Sequence, residues 1–155
     1  MKRFQRQVLE RHNVLRPKHG VPKLKLNERL NRLAQQRANE MAKSGRMFHQ
    51  KNYPYGENIA YYEKGTRFTG KTVADSWYSE IRKYNFNRGN PPKGVLHFTQ
   101  LVWKNTRRLG VGIARAKSGK HYISAVYDPQ GNYANSFLKN VFRPIRGPFS
   151  SGRSC

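Results

Sequence analysis

Four side chains in this sequence combine scarcity with chemistry: His49, Glu57, Glu80 and His97. Only 8 Asp+Glu stand against 31 Lys+Arg. A carboxylate on an apolar helical face or in a glycine-containing turn therefore carries more information here than in a balanced chain. Glu57 sits in Gly56-Glu57-Asn58, and Glu80 lies three residues after Trp77 and four before Tyr84, which puts its carboxylate on or beside the apolar face of a helix. His97 opens the run HFTQLVWKNT, and His49 follows a helix in a loop rich in Gly, Asn, Pro and Tyr. Imidazole nitrogens and carboxylate oxygens together suit a divalent metal such as zinc, and the same four could form an acid/base cluster. Spacing alone does not bring residues scattered over 49 positions together. No metal-ligand pair stands at helical i, i+4 spacing. On spacing alone, four unrelated, singly hydrogen-bonded residues are the favoured reading. A nucleophile with a plausible base is absent from the pattern: Cys155 ends a basic tail, and Ser76 and Ser79 lie on a helix.

The elements that must position these residues follow from periodicity. Val8, Leu9, His12 and Leu15 fall at helical spacing and Pro17 closes the pattern, so a first helix covers roughly residues 3–15. His19-Gly20-Val21-Pro22 reads as a turn. Asn27 is a good helix N-cap with Glu28 in the first turn, and Leu30, Leu33, Ala34, Ala38, Met41 and Ala42 give a 3.6 period ending at Ser44-Gly45. Residues 45–57 read as loop and 59–62 as a short strand. Val73, Ala74, Trp77, Ile81 and Tyr84 predict a third helix over about residues 71–84. Gly89-Asn90-Pro91-Pro92 breaks any helix. Phe98, Leu101 and Val102 suit either a short helix or a strand. From Leu109 the period becomes two, and Lys117-Ser118-Gly119-Lys120 supplies the turn of a β-hairpin that ends at Asp128-Pro129. Residues 143–155 lack periodicity and read as a disordered basic tail. His12 and His121 read as packing or surface residues, and His19 as a turn residue.

The totals set bounds on function. At 155 residues the chain suits one domain. A net charge of +23 calls for an anionic partner or surface: phosphates, anionic lipid headgroups or acidic proteins. The single cysteine rules out a disulfide within the chain, which favours a reducing compartment or a fold that needs no staple. No stretch approaches the ~20 apolar residues of a membrane span. Taken as it starts, the chain lacks the apolar core of a secretory signal, and Lys2 stands where N-myristoylation needs glycine. A soluble, non-exported protein is expected, with export by a route without a signal peptide as the alternative.

Separate motifs then converge on one family. HFTQLVWKNT (97–106) resembles the first signature of the CAP superfamily, which contains cysteine-rich secretory proteins, antigen-five allergens and plant pathogenesis-related class-one proteins. YISAVYDPQGNY (122–133) resembles the second. HNVLRPKHGVPKLKL (12–26), YGENIA (55–60) and VADSWYSEIRKYNF (73–86) occur in the matching order, and the likeness, running over about residues 4–142, is to the intracellular, Golgi-associated branch. The resemblance implies an α+β fold, a three-layer α-β-α sandwich with a central antiparallel sheet, as a CAP domain over residues 1–142. It also implies a cleft able to hold zinc, with the family's two-His, two-Glu tetrad falling on His49, Glu57, Glu80 and His97. Glu57 matches the Gly-Glu-Asn glutamate, Glu80 that of the Trp-Tyr-x-Glu-Ile helix, and His97 the histidine opening the first signature. His49 matches by position ahead of Gly-Glu-Asn. Leu96 departs from the glycine or charged residue usual before that histidine, and Ala125 stands where secreted members place a cysteine.

The expected function is a non-enzymatic CAP-domain protein that associates with anionic lipids or membranes, on the cytosolic face of the Golgi or of other membranes, and whose His/Glu cleft binds a divalent metal. Sterols or fatty acids are the related ligands the resemblance implies, and a homodimer is a further expected partner. The competing expectation is a hydrolase using the same tetrad with metal-bound water. Nucleic-acid binding ranks last, because charge alone supports it and no reading motif accompanies the charge.

Overall fold

The computed structural model describes residues 2–145; residues 146–155 of the expected tail, Cys155 among them, lie outside the described residues. The chain folds into three layers. A four-stranded sheet in the order β1-β3-β4-β2 is built from Lys25–Leu26 (β1), Gly56–Tyr62 (β2), Arg108–Arg115 (β3) and His121–Asp128 (β4). β2, β4 and β3 are antiparallel, and the two-residue β1 adds a parallel edge against β3, which makes the sheet mixed at that edge. Helix α2 (Glu28–Ser44) covers one face. Helices α1 (Lys2–Leu15), α3 (Gly70–Tyr78) and α4 (Leu96–Leu101) cover the other, and a short α5 (Phe137–Asn140) follows the hairpin.

The alternation on β4 sets the two cores. Ile123, Ala125 and Tyr127 join Val8, Leu15, Val73, Trp77 and Phe98 in the main core, whereas Val126 packs with Leu30 and Ala34, and Tyr122 with Met41. A strand buried on both faces is what a central position between two helical layers demands. α2 approaches β3 so closely that a Cβ on Gly110 or Gly112 would overlap the α2 backbone at Leu30 or Ala34–Gln35. Beyond the end of β1, the edge of β3 is closed by side chains. Asn31 Oδ1 accepts from Val111 N at 2.9 Å, Gln5 Nε2 donates to Val111 O, and Gln35 pairs with both the N–H and the C=O of Ile113. These contacts satisfy backbone groups that would otherwise form an open strand edge.

Helix ends follow local chemistry where the sequence offers it. Asn27 accepts from Leu30 N and Gly45 closes α2 in the left-handed region at φ 70°. The third helix is shorter than its periodicity predicts. α-Helical winding ends at Tyr78 and continues as a 3-10 helix over Ser79–Lys83, the tighter form common at helix termini, so Glu80 sits on that tighter turn. Likewise Gly56-Glu57-Asn58 belongs to β2 because Glu57 pairs with Val126 of β4, a long-range contact that overrides the turn-like composition. The ambiguous segment around Phe98 is helical, as α4.

Two buried polar groups hold the layers together. A 3-10 helix over Arg16–His19 follows α1, and Arg16 is fully buried. Its guanidinium donates to Pro22 O (2.6 Å), Leu101 O (2.9 Å), Trp103 O (3.0 Å) and Thr106 O (2.9 Å). Burial lowers its pKa to about 10, which leaves it cationic at physiological pH. His12, also fully buried, uses Nδ1 to reach Val8 O at 2.8 Å and Nε2 to meet the Tyr127 hydroxyl at 2.7 Å. His19 is buried as well, between Phe142 O and the Tyr78 hydroxyl. His12 is thus a packing residue, one of the two readings its spacing allows, whereas His19 is more than the simple turn residue its spacing predicts.

Burial pushes the His12 pKa from 6.5 down to about 3. The unfolded chain therefore takes up a proton near pH 6.5 that the folded chain refuses until far lower pH, so this stability is complete above that value and is lost as pH falls towards 3. Burial lowers His19 in the same direction. Denaturant titrations should show a loss of about 2 kcal/mol from His12 on going from neutral pH to about pH 5, and His12→Gln should flatten that slope. A slope unchanged by the substitution would refute the assignment.

Candidate functional site

Glu57 projects from β2 into a buried ion pair. Arg37 of α2 donates Nε to Glu57 Oε2 at 2.7 Å and Nη2 to Oε1 at 3.3 Å, with side chains only 3% and 4% exposed. Arg37 also donates to Glu40 and to the Phe48 carbonyl, and its guanidinium lies over the Phe48 ring. Ser124 Oγ adds a further donor to Glu57 at 3.3 Å. Burial pushes the Glu57 carboxyl up, but hydrogen bonds from His49 and Arg37 outweigh it and hold the group below its ordinary range. Burial opposes the charged Arg37, and its bonds to Glu57 and Glu40 outweigh that too, raising its pKa. His49 completes the pair: its Nδ1 lies 3.1 Å from Glu57 Oε1, with the ring 61% exposed.

Glu80 organises the second pair. Its Oε1 accepts the backbone N–H groups of His97 (3.0 Å) and Phe98 (3.1 Å), and its Oε2 meets His97 Nδ1 at 2.7 Å. Val95, the N-cap of α4, makes no side-chain cap bond. The Glu80 carboxylate, arriving from a different element, satisfies the orphan N–H groups and places negative charge at the positive end of the helix. The His97 ring is further fixed by stacking on Trp77, with centroids 6.2 Å apart and planes 9° from parallel. Its carbonyl accepts from Asn58 Nδ2 at 3.0 Å, and Asn58 also donates to the Tyr127 hydroxyl at 3.2 Å. A continuous buried chain therefore runs from Val8 O through His12, Tyr127 and Asn58 to the backbone of His97.

The structure thus gathers the four predicted residues as two His–Glu pairs. His49, Glu57 and His97 line one cavity of about 290 Å³ together with Asn58, Gly94, Leu96 and Asn132, while Glu80 stands behind His97. Leu96 is 48% exposed at the rim of that cavity, an apolar side chain beside polar walls. As the side chains stand, no three His, Cys, Asp or Glu among the described residues are grouped closely enough to hold a metal ion. The donor set nevertheless has the chemistry a divalent cation needs. Each imidazole gives Nδ1 to a carboxylate, the arrangement that fixes the ring and leaves Nε2 free. Of the four residues expected as metal ligands, His49 and His97 are the two that could hold zinc with the glutamates as orienting partners. Sequence reasoning missed Arg37, Asn58 and Tyr127. Arg37 alone left a signal, a cation at helical spacing from Ala34 and Met41 on a mostly apolar face.

A three-layer sandwich whose cleft carries two histidine–glutamate pairs defines the CAP class of domains. The model of the CAP family, described as the cysteine-rich secretory protein family, matches residues 9–127, and the chain belongs to that family. Human Golgi-associated plant pathogenesis-related protein 1 is 45% identical over 150 residues, covering 92% of this chain and 95% of the relative. Pathogenesis-related protein 1 of Arabidopsis thaliana is 37% identical over 132 residues, covering 84% and 80%. Among solved structures, Schistosoma mansoni venom allergen-like protein 4 superposes with a TM-score of 0.73 at 20% identity, over 94% of this chain and 97% of that one. NaASP2, solved with Zn2+, gives 0.70 at 22% identity over 94% and 88%. At these identities the structural likeness speaks for the fold.

Glu80→Ala should destabilise the protein by about 2–3 kcal/mol in chemical denaturation, since three bonds to a charged acceptor disappear at once. Glu80→Gln keeps one oxygen for the backbone N–H groups and should cost less. Equal losses in the two variants would show that the cap contributes nothing.

Proposed function

We propose that this CAP-domain chain is a non-enzymatic binding protein that associates with anionic membrane surfaces and takes a divalent metal, zinc above all, in its histidine cleft. The observation that carries the cleft reading is that His49 and His97 line one cavity while a carboxylate holds Nδ1 of each ring. His49 and His97 would hold zinc through Nε2, and the ion would supply a positive, Lewis-acidic centre to the cavity. The Zn2+ with which the structural neighbour NaASP2 was solved supports the choice of metal. Neither imidazole hydrogen-bonds a serine, threonine or cysteine among the described residues, which supports binding over covalent turnover. The membrane reading rests on charge. Among the described residues, five of the 8 carboxylates are already in ion pairs with Lys or Arg, engaging Arg11, Arg37, Lys71, Arg108 and Lys120 of the 31 Lys+Arg. Apart from the buried Arg16, the surplus would be available to an anionic leaflet, where each Lys or Arg contributes about 1 kcal/mol. The name of the human relative supports a Golgi membrane as the location. Sterols and fatty acids are the lipid ligands to assay first.

Zinc titration calorimetry should give a binding isotherm for the wild type and binding more than about tenfold weaker for His97→Ala. Superimposable isotherms would remove His97 from the site. Flotation with liposomes should recover the chain only when acidic lipid is present, and recovery should fall as salt rises. Equal recovery on neutral and acidic vesicles would end the electrostatic reading.

A further inference from the structure

A second and larger cavity, about 420 Å³, opens beside the histidine cleft and shares His49, Glu57 and Asn132 with it. Its size lies within the about 300–1,000 Å³ typical of small-molecule sites. Its lining contrasts with the basic composition of the chain. In a chain where 31 of 155 residues are Lys or Arg, none of its eleven lining residues is either, and five are carboxamides: Gln50, Asn52, Gln100, Gln130 and Asn132. The remaining lining includes Tyr53 and Tyr55, packed edge-on with centroids 5.5 Å apart.

The carboxamides divide into two groups. Gln100 and Asn132 form a fixed floor. Gln100 Oε1 accepts from Gly131 N at 3.0 Å and its Nε2 donates to Thr106 Oγ1, while Asn132 accepts from Thr99 Oγ1 and donates to Leu96 O. Gly56 and Gly131 admit Gln100, because a Cβ on either would overlap its carboxamide. Among the described residues nothing hydrogen-bonds the side chains of Gln50 and Asn52 or the amide nitrogen of Gln130, whose oxygen meets the Tyr133 hydroxyl at 3.4 Å.

We infer that this cavity is a binding site for a neutral polyhydroxylated ligand, a mono- or disaccharide, held by the carboxamides of Gln50, Asn52 and Gln130. Each sugar hydroxyl both donates and accepts, as does a carboxamide, so the two sets are complementary without net charge. The only carboxylate in the lining, Glu57, is already held by Arg37, His49 and Ser124, so it offers no free charge to an ion. Mostly polar walls offer nothing to a lipid tail and no apolar niche to a peptide side chain.

Saturation-transfer NMR on the full chain tests this, with chelator present so that the outcome is independent of the zinc reading. The probes are glucose, mannose, galactose, N-acetylglucosamine, cellobiose, chitobiose and trehalose, with glucose 6-phosphate and dialanine as contrasts. Transfer to at least one neutral sugar is expected, with little to the contrasts. Affinity for that sugar should fall by about tenfold in Gln50→Ala and in Asn52→Ala. Both variants should fold normally, because both side chains are exposed and neither hydrogen-bonds another described residue. No transfer to any sugar, stronger transfer to the phosphate or the dipeptide, or affinity untouched by both substitutions would overturn the assignment.

Discussion

The site depends on a six-residue helix that could not stand alone. An isolated helix of this length does not recover the cost of nucleation in water, and α4 has no cap of its own at its N-terminus. It is held instead between two charges of the sign its dipole requires. The Glu80 carboxylate takes the first N–H groups, and the Arg16 guanidinium takes the Leu101 carbonyl at the other end. Arg16 then continues along the chain to the carbonyls of Trp103 and Thr106, fixing the exit from the helix as firmly as Glu80 fixes the entrance. His97 is the second residue of this helix, so its position is set by both clamps.

The same economy governs the carboxylates. Glu80 serves a helix terminus and an imidazole at once, and Glu57 serves Arg37, Ser124 and an imidazole at once. In each case one oxygen is held by the scaffold alone and the other orients a ring, in Glu57 while also accepting from Arg37. The cation of Arg37 is screened from water together with Glu57, so their mutual attraction acts in a medium of low dielectric and resists rearrangement. The two histidines differ correspondingly. His97 is packed against Trp77 and tied through its backbone, whereas His49 is mostly exposed and tied by its single ring contact.

Much of this was legible in the residues, and what was not has physical causes. The N-cap and C-cap of α2, the hairpin and its turn, and the pairing of helical segments with an alternating one all follow from local rules, because local groups decide them. The rarity of acids singled out Glu57 and Glu80 before any partner was known. The periodicity of residues 71–84 could not show that α-helical winding tightens after Tyr78, since both helix types keep similar neighbours on one face over a single turn. Nor could composition show that Gly56-Glu57-Asn58 is strand, because that is decided by β4, which lies about seventy residues away. His12 looked like filler for the same reason: its role lies in a phenol on another strand.

The buried chain from Val8 through His12, Tyr127 and Asn58 to His97 has a consequence for how such a sequence can vary. A lone replacement at His12, Tyr127 or Asn58 leaves a neighbour's polar atom stranded in the core, so single changes there are penalised more than their chemistry warrants, while paired changes that remove both partners are not. Residues on helix α1, strand β4 and strand β2 are therefore bound into one inherited unit beneath the cleft. Because that unit grips the His97 carbonyl and not its ring, a lineage could exchange the side chain at the cleft while the backbone that carries it stays tied to the core.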